Sequence, residues 1–260
     1  MALLTISDAQ IFTWVGQYIL PFARIGAFFS VIPIIGAQLV PPRVRLLLAI
    51  AITVLVAPMI TNVASNNPFS VSGLLLLVSQ LLLGVMMGFL VQLFFQVFIL
   101  AGQMIAMQNG LGFATLLDPM NGVQVVSISQ LLIILANLLY LSMNGHLILI
   151  HQIVESFQIL PMNLFNVSAE QFYEVVMQGS WLFKSALMIS LPSIVALLFV
   201  NLSIGVMTRV APQLNIFSIG FPLTMIFGLL VVWIGLRSMV PEFYLLADEN
   251  FMMIRKLITR

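Results

Sequence analysis

The 260-residue sequence contains no cysteine, and only 7% of its residues are charged. Without cysteine there can be no disulfide, thiolate metal site or cysteine nucleophile, while the compartment stays open, since a cysteine-free chain suits either side of a membrane. Soluble domains carry roughly 25% charged residues, so a chain this poor in charge is not an ordinary soluble domain. The formal net charge is +1 and no polybasic run occurs, which removes the electrostatic footprint of a nucleic-acid binder. Also missing are HExxH, GxSxG, P-loop and dinucleotide fingerprints, and no pair of carboxylates lies inside an apolar run. An enzyme is not expected, nor a cofactor or a metal. MALLTISDAQ has no basic segment ahead of the first apolar run, so that run is expected to be retained rather than cleaved as a signal peptide.

What is abundant is apolar: 62% of the residues, with a mean hydropathy of +1.17. The expected fold is an all-α, multi-helix integral membrane protein. Its apolar runs are Ile11 to Ile35, Val44 to Ile60, Val71 to Met107, Val123 to Ile150, Trp181 to Met207 and Ile216 to Met239. The third is too long for lipid alone. As one helix it would reach ~55 Å, against a hydrocarbon core of ~30 Å, so it either bends near Gly84 and Gly88 or stands out of the bilayer. Pro161 to Gly179 reads as a short amphipathic helix with a capping box at Ser168 and Gln171. The tail from Pro241 to Arg260 reads as a surface helix, and Trp181 to Met239 as a helical hairpin turning at Arg209 to Asn215.

Charge placement conflicts with a plain bundle. With six alternating spans, Arg43, Arg45 and Arg209 share one side while Arg255, Lys256 and Arg260 fall on the other, so the positive-inside rule disagrees with itself. Arg24 sits inside an apolar run, where a charge costs roughly 2.5 to 3.5 kcal/mol on insertion scales; it either snorkels or bonds to backbone, or it is turned toward a partner. His146 and His151 are five apart and face different sides of a helix, which makes a poor metal pair.

Two features stand out. Gly102 to Gly122 reads GQMIAMQNGLGFATLLDPMNG, rich in Gly, with amides at Gln108 and Asn109 and apolar residues at Leu111, Phe113, Leu116 and Leu117. Gly and Pro break the helix while the apolar side chains still want burial, so an ordered loop packed within protein is expected. At membrane depth such a loop is tolerated only beside protein or a water-filled cavity. Met104, Met107 and Met120 around it suit a deformable seal or ordinary packing. The second feature is a stripe of Gly84, Gly88, Gln92, Gln96 and Gln103 on one side of a helix, suited to contact with another subunit or to packing within the chain.

PPRVR (41 to 45), GLGFATLLDP (110 to 119), NGH (144 to 146) and RVAPQLNIFSIGFP (209 to 222) resemble the FliR family of flagellar biosynthesis proteins, whose injectisome relatives serve type III secretion. The resemblance runs from end to end. It implies a single export-gate domain over residues 1–260, FliP-like to about 180 and then a FliQ-like hairpin and tail, with a non-standard membrane topology. It further implies assembly with FliP and FliQ, and with FlhB and FlhA, in the bacterial inner membrane within the flagellar basal body, with unfolded flagellar proteins as cargo. On that basis Gly110, Leu111, Gly112, Phe113, Leu116, Leu117, Asp118 and Pro119 would form a channel plug. The alternative from another class is a small-solute or ion transporter with a re-entrant loop at Gly110 to Asp118.

Overall fold

A computed structural model describes residues 8–33, 40–60, 70–110, 127–162, 167–210 and 220–259. The described residues are all-α. The helices are α1 (Asp8–Val31), α2 (Pro42–Val56, extended by a 3-10 turn at Ala57–Met59), α3 (Val71–Gln108), α4 (Ser127–Ser142), α5 (Gly145–Ile159), α6 (Ala169–Val210) and α7 (Phe221–Thr259). Four of them, α2 with its 3-10 turn, α3, α6 and α7, are long and apolar enough to cross a membrane, and α4 with α5 makes a fifth if read as one broken span. The protein is an all-α membrane protein.

Helix boundaries follow local chemistry. Pro42 opens α2 at the position where its missing N–H costs nothing, and the Val44 amide donates to the Pro41 carbonyl at 2.9 Å. At the start of α6 the Ser168 hydroxyl accepts from the Gln171 amide at 3.2 Å, and the Gln171 side chain accepts from the Ser168 amide at 3.0 Å. That is the reciprocal capping box expected from sequence.

Three sequence expectations need correction. From residue 127 on, the run expected from Val123 to Ile150 is two helices, because Asn144 adopts a left-handed conformation (φ 58°) and α5 starts at Gly145. The amphipathic segment expected to end at Gly179 instead continues through it, giving α6 42 residues. Gly179 meets no neighbouring atom within 4 Å of where its Cβ would stand, and no proline follows until Pro192, so nothing stops the helix there. The tail is likewise continuous with the last span, since Pro241 gives up one backbone bond without ending the 39-residue α7. The third run is one unbroken helix of 38 residues, about 57 Å long.

The chain forms two compact units from interleaved segments. The first comprises Met1–Leu93, Asn144–Gln178 and Asn250–Arg260. Its core holds Ile25, Phe28 and Phe29 of α1 with Ile32 just after it, Leu83 and Met87 of α3, Ile153 and Phe157 of α5, and Ile254 and Ile258 of α7. Side-chain amides fasten helix to helix: Asn250 donates to the Leu90 carbonyl at 2.8 Å, Gln152 to that of Phe251 at 2.9 Å, and Gln171 to that of Leu257 at 2.9 Å. Lys256 pairs with Glu174 at 3.1 Å and Arg255 with Glu155 at 3.5 Å. Both cations are solvent-exposed, so these pairs add at most about 1 kcal/mol each.

The second unit comprises Phe94–Met143 and Gly179–Glu249. Its centre is aromatic. The Phe94 ring lies 5.8 Å from Tyr140 and 5.4 Å from Phe243, Phe95 lies 5.2 Å from Tyr140, and Phe98 lies 5.6 Å from Phe243. These spacings fall in the favourable range for tilted and edge-on pairs, and they join α3, α4 and α7. Here α6 and α7 run antiparallel: Trp181 reaches Glu249, and farther along α6 Ser193 lies opposite Gly235.

Candidate functional site

The last turn of α3, from which residues 111–126 depart, is held from two sides within the second unit. From α6, the Asn201 side chain donates to the Gln108 carbonyl at 3.2 Å. That carbonyl belongs to the helix end, where no intrahelical amide is left to satisfy it. From α7, the Asn109 side chain fills the space that a Cβ at Gly228 would need. Asn109 is fully buried, and among the described residues neither end of its amide has a hydrogen-bond partner. Beyond it, Gly110 turns the chain with φ 78°, a conformation glycine adopts without a Cβ penalty, and its amide donates back to Met107 at 3.2 Å.

The first turn of α4 is anchored on the same helix. A Cβ at Gly102 of α3 would stand 2.5 Å from the Ser129 Cα, and the Ser129 hydroxyl donates to the Ile99 carbonyl at 3.0 Å. Gly102 therefore lets the first turn of α4 lie directly against α3. Gly110 and the Gly102 contact with Ser129 lie about 12 Å apart along α3. Ser190 of α6 adds a hydroxyl contact to the Met104 sulfur at 3.4 Å.

Of the expected plug residues, Gly110 is the one described; Leu111, Gly112, Phe113, Leu116, Leu117, Asp118 and Pro119 lie outside the described residues, as does Met120. Of the expected contact stripe, Gly84 and Gly88 lie against α1 of the same chain. A Cβ at Gly84 would collide with the Arg24 carbonyl, and one at Gly88 would stand 2.9 Å from the Val31 Cβ and 3.0 Å from the Phe28 carbonyl. Gln92, Gln96 and Gln103 remain half-buried along α3. Asn201, Gly228 and the aromatic group were not singled out by sequence. For Gly228 the available signal was a glycine inside a long apolar run, where it costs about 1 kcal/mol relative to alanine and so calls for a packing reason.

Arg24 is buried and bonded to backbone, one of the readings the sequence left open. Its Nε donates to Gln80 Oε1 at 2.8 Å, its Nη1 to the Ser156 carbonyl at 2.9 Å and the Ser156 hydroxyl at 3.0 Å, and its Nη2 to the Leu160 carbonyl at 3.0 Å. The guanidinium also lies 4.4 Å from the Phe157 ring centre. The planar fork meets the carbonyls at the C-terminal end of α5, where the helix dipole is negative, so the helix end stands in for an acid. Among the described residues no group of three or more His, Asp or Glu is arranged to hold a metal.

The sequence profile of the bacterial export proteins, family 1, matches residues 15–249. The chain belongs to that family. The match covers every residue of the α3 anchor, Asn201 and Gly228 included. Among its relatives, the flagellar biosynthetic protein FliR of Pectobacterium carotovorum is 37% identical over 99% of this chain and 98% of its own length. FliR of Escherichia coli is 36% identical over the same shares, and FliR of Aquifex aeolicus 31% identical over 84% of each chain. The end-to-end likeness to FliR expected from the motifs is present. As a member of the export family with helices fit to cross a bilayer, this is a membrane protein of flagellar biosynthesis and export.

Proposed function

We propose that this chain is a subunit of the flagellar type III protein export gate in the bacterial inner membrane, within the flagellar basal body. It assembles with FliP- and FliQ-like proteins, and FlhB- and FlhA-like proteins act beside it. The observation that carries this reading is the identity to FliR over nearly the whole length of both chains. Two physical features support it. The lengths of α3, α6 and α7 exceed what a bilayer can cover, as expected of helices that continue into a protein assembly. Many large apolar side chains of the hairpin are bare in the single chain, among them Phe183, Phe199, Leu202, Trp233 and Ile234. A surface of this kind is matched by lipid or by partner helices.

In this reading the segment that starts at Gly110 closes the channel. Leu111, Phe113, Leu116 and Leu117 are the apolar stoppers, Gly110 and Gly112 its hinges, and Asp118-Pro119 its return. Packing holds it shut until an unfolded export substrate displaces it. Gln92, Gln96 and Gln103 contribute to subunit contact. Residues to about 180 form the FliP-like portion, and the remainder the FliQ-like hairpin and tail.

Co-expression with the FliP- and FliQ-like proteins of the same genome, followed by native mass spectrometry, tests the assembly. A single stable complex containing this chain is expected. A homo-oligomer that ignores those partners would overturn the reading and direct attention to solute flux. Deletion of residues 111–117 tests the plug: increased ion leakage through assembled complexes is expected, and unchanged leakage and export would sink it.

A further inference from the structure

Within the second unit, α6 and α7 leave an open groove of about 470 Å³ between them. Ser193, Ala196 and Gly235, the small residues of its lining, leave the space, and Val231 and Ile234 make it apolar. Arg237 lines the same groove and is the first charged residue of α7, since residues 221–236 carry no charge. On α6, residues 185–208 carry none either. The groove therefore leads from the uncharged part of the hairpin to the level at which charge begins, where a long cationic side chain reaches the headgroup region of a bilayer.

Two polar groups of this groove have no partner. Arg237 is exposed and, among the described residues, makes no hydrogen bond or ion pair. Ser193 is only 6% exposed, and its hydroxyl has no hydrogen-bond partner among the described residues. Other helical serines of the hairpin bond back to their own helix, Ser190 to the Leu187 carbonyl and Ser203 to that of Phe199. Ser193 instead faces α7, its Oγ 3.4 Å from where a Cβ of Gly235 would stand. A hydroxyl buried without a bond is costly unless something else accepts from it. Gly235 precedes Arg237 by two residues, so Ser193 lies about 3 Å farther into the uncharged stretch than Arg237.

We propose that this groove binds one anionic phospholipid. Arg237 holds the phosphate, the Ser193 hydroxyl donates to an ester carbonyl, and an acyl chain lies along Ala196, Val231 and Ile234. Cation, hydroxyl and apolar channel follow one another in the order of phosphate, ester and tail. Among the described residues no acid lines the groove, so the ammonium of a zwitterionic headgroup finds no partner there. The proposal rests on the membrane-crossing hairpin and not on the gate reading.

The test titrates dioleoyl-phosphatidylglycerol, and separately dioleoyl-phosphatidylcholine, into the full-length protein purified in detergent with the subunits that accompany it, and counts retained lipid by native mass spectrometry. Severalfold tighter retention of phosphatidylglycerol is expected. Arg237→Gln should weaken it roughly fivefold, the effect of one basic residue at a membrane surface, and Arg237→Lys should restore most of it. Ala196→Phe fills the groove and should remove one lipid per copy of this chain with Arg237 intact. Equal retention by wild type and Arg237→Gln, as when a partner helix covers the groove, overturns the proposal. So does full retention by Ala196→Phe, which would put the lipid elsewhere on the surface, or competition by glycerol phosphate as effective as that of the lipid, which would make the site one for a free anion. If Ala196→Phe does not assemble, Ser193→Ala decides: severalfold weaker retention is expected, and unchanged retention counts against us.

Discussion

Trp181 of α6 donates its indole Nε1–H to Glu249 Oε2 of α7 at 2.7 Å. The bond ties one arm of the hairpin to the other where each leaves its most apolar stretch. Hydrogen bonds to a charged group contribute about 1.5 to 3 kcal/mol when buried, and both residues here are only half-buried. Trp181→Phe keeps an aromatic ring, though a smaller one, and loses the donor, so a loss of about 1 kcal/mol is expected. The melting temperature of the detergent-solubilised complex measures it, and Glu249→Gln, which retains an acceptor, should cost less.

Arg24 supplies the second prediction. Replacing it with alanine leaves the Gln80 side-chain oxygen and the Leu160 carbonyl without the guanidinium donors, while the Ser156 carbonyl keeps only the Leu160 amide at 2.9 Å, so a loss of about 3 kcal/mol is expected. Lysine keeps the charge but not the planar fork, and should recover only part of it. Chain abundance in the membrane and thermal stability in detergent report the order: wild type, then Lys, then Ala.

Two glycines in similar helices should respond in opposite directions. Gly→Ala in a helix interior gains about 0.8 to 1 kcal/mol from propensity. At Gly205 the new methyl meets nothing within 4 Å, so that gain is expected in full for the isolated chain. At Gly84 the methyl collides with the Arg24 carbonyl. Overpacking of about 1 to 3 kcal/mol outweighs the propensity, and Gly84→Ala should destabilise. Equal effects at the two sites would show that α1 and α3 are not in close contact.

The capping box offers a local test. Ser168→Ala removes the acceptor for the Gln171 amide, at a cost of about 1 kcal/mol. Faster hydrogen exchange is expected in the first turn of α6. The effect should fade within a few residues, because the body of the helix is held by Gln171, Lys256 and their partners.

These sites differ in how much of them could be read from sequence. Hydropathy and length identified every apolar run, and the Ser168/Gln171 spacing placed the start of α6 correctly, because caps and periodicity are local properties. The continuity of α6 and α7 was not legible: Gly179 and Pro241 are breakers in isolation, and only the absence of a competing neighbour or turn decides that the helix goes on. Arg24 was conspicuous as a charge in an apolar run, yet its partners lie 56 to 136 residues away. No spacing rule reaches that far. Asn109 was visible as an amide beside a loop, and Gly228 as an odd glycine, while their juxtaposition depends on how α3 docks on α7. The identity of the family, by contrast, was carried by short motifs such as RVAPQLNIFSIGFP.

The distance along the chain between Arg24 and Ser156 also sets a schedule for biogenesis. Ser156 follows Arg24 by 132 residues. At about 5 to 20 residues per second, the ribosome needs roughly ten seconds to produce the carbonyls that the guanidinium will bind. During that interval the guanidinium lacks those carbonyls, and holding it at bilayer depth costs roughly 2.5 to 3.5 kcal/mol on insertion scales. Slow translation between these two positions prolongs the exposure. The yield of folded chain is therefore expected to fall when synthesis between these two positions is slowed.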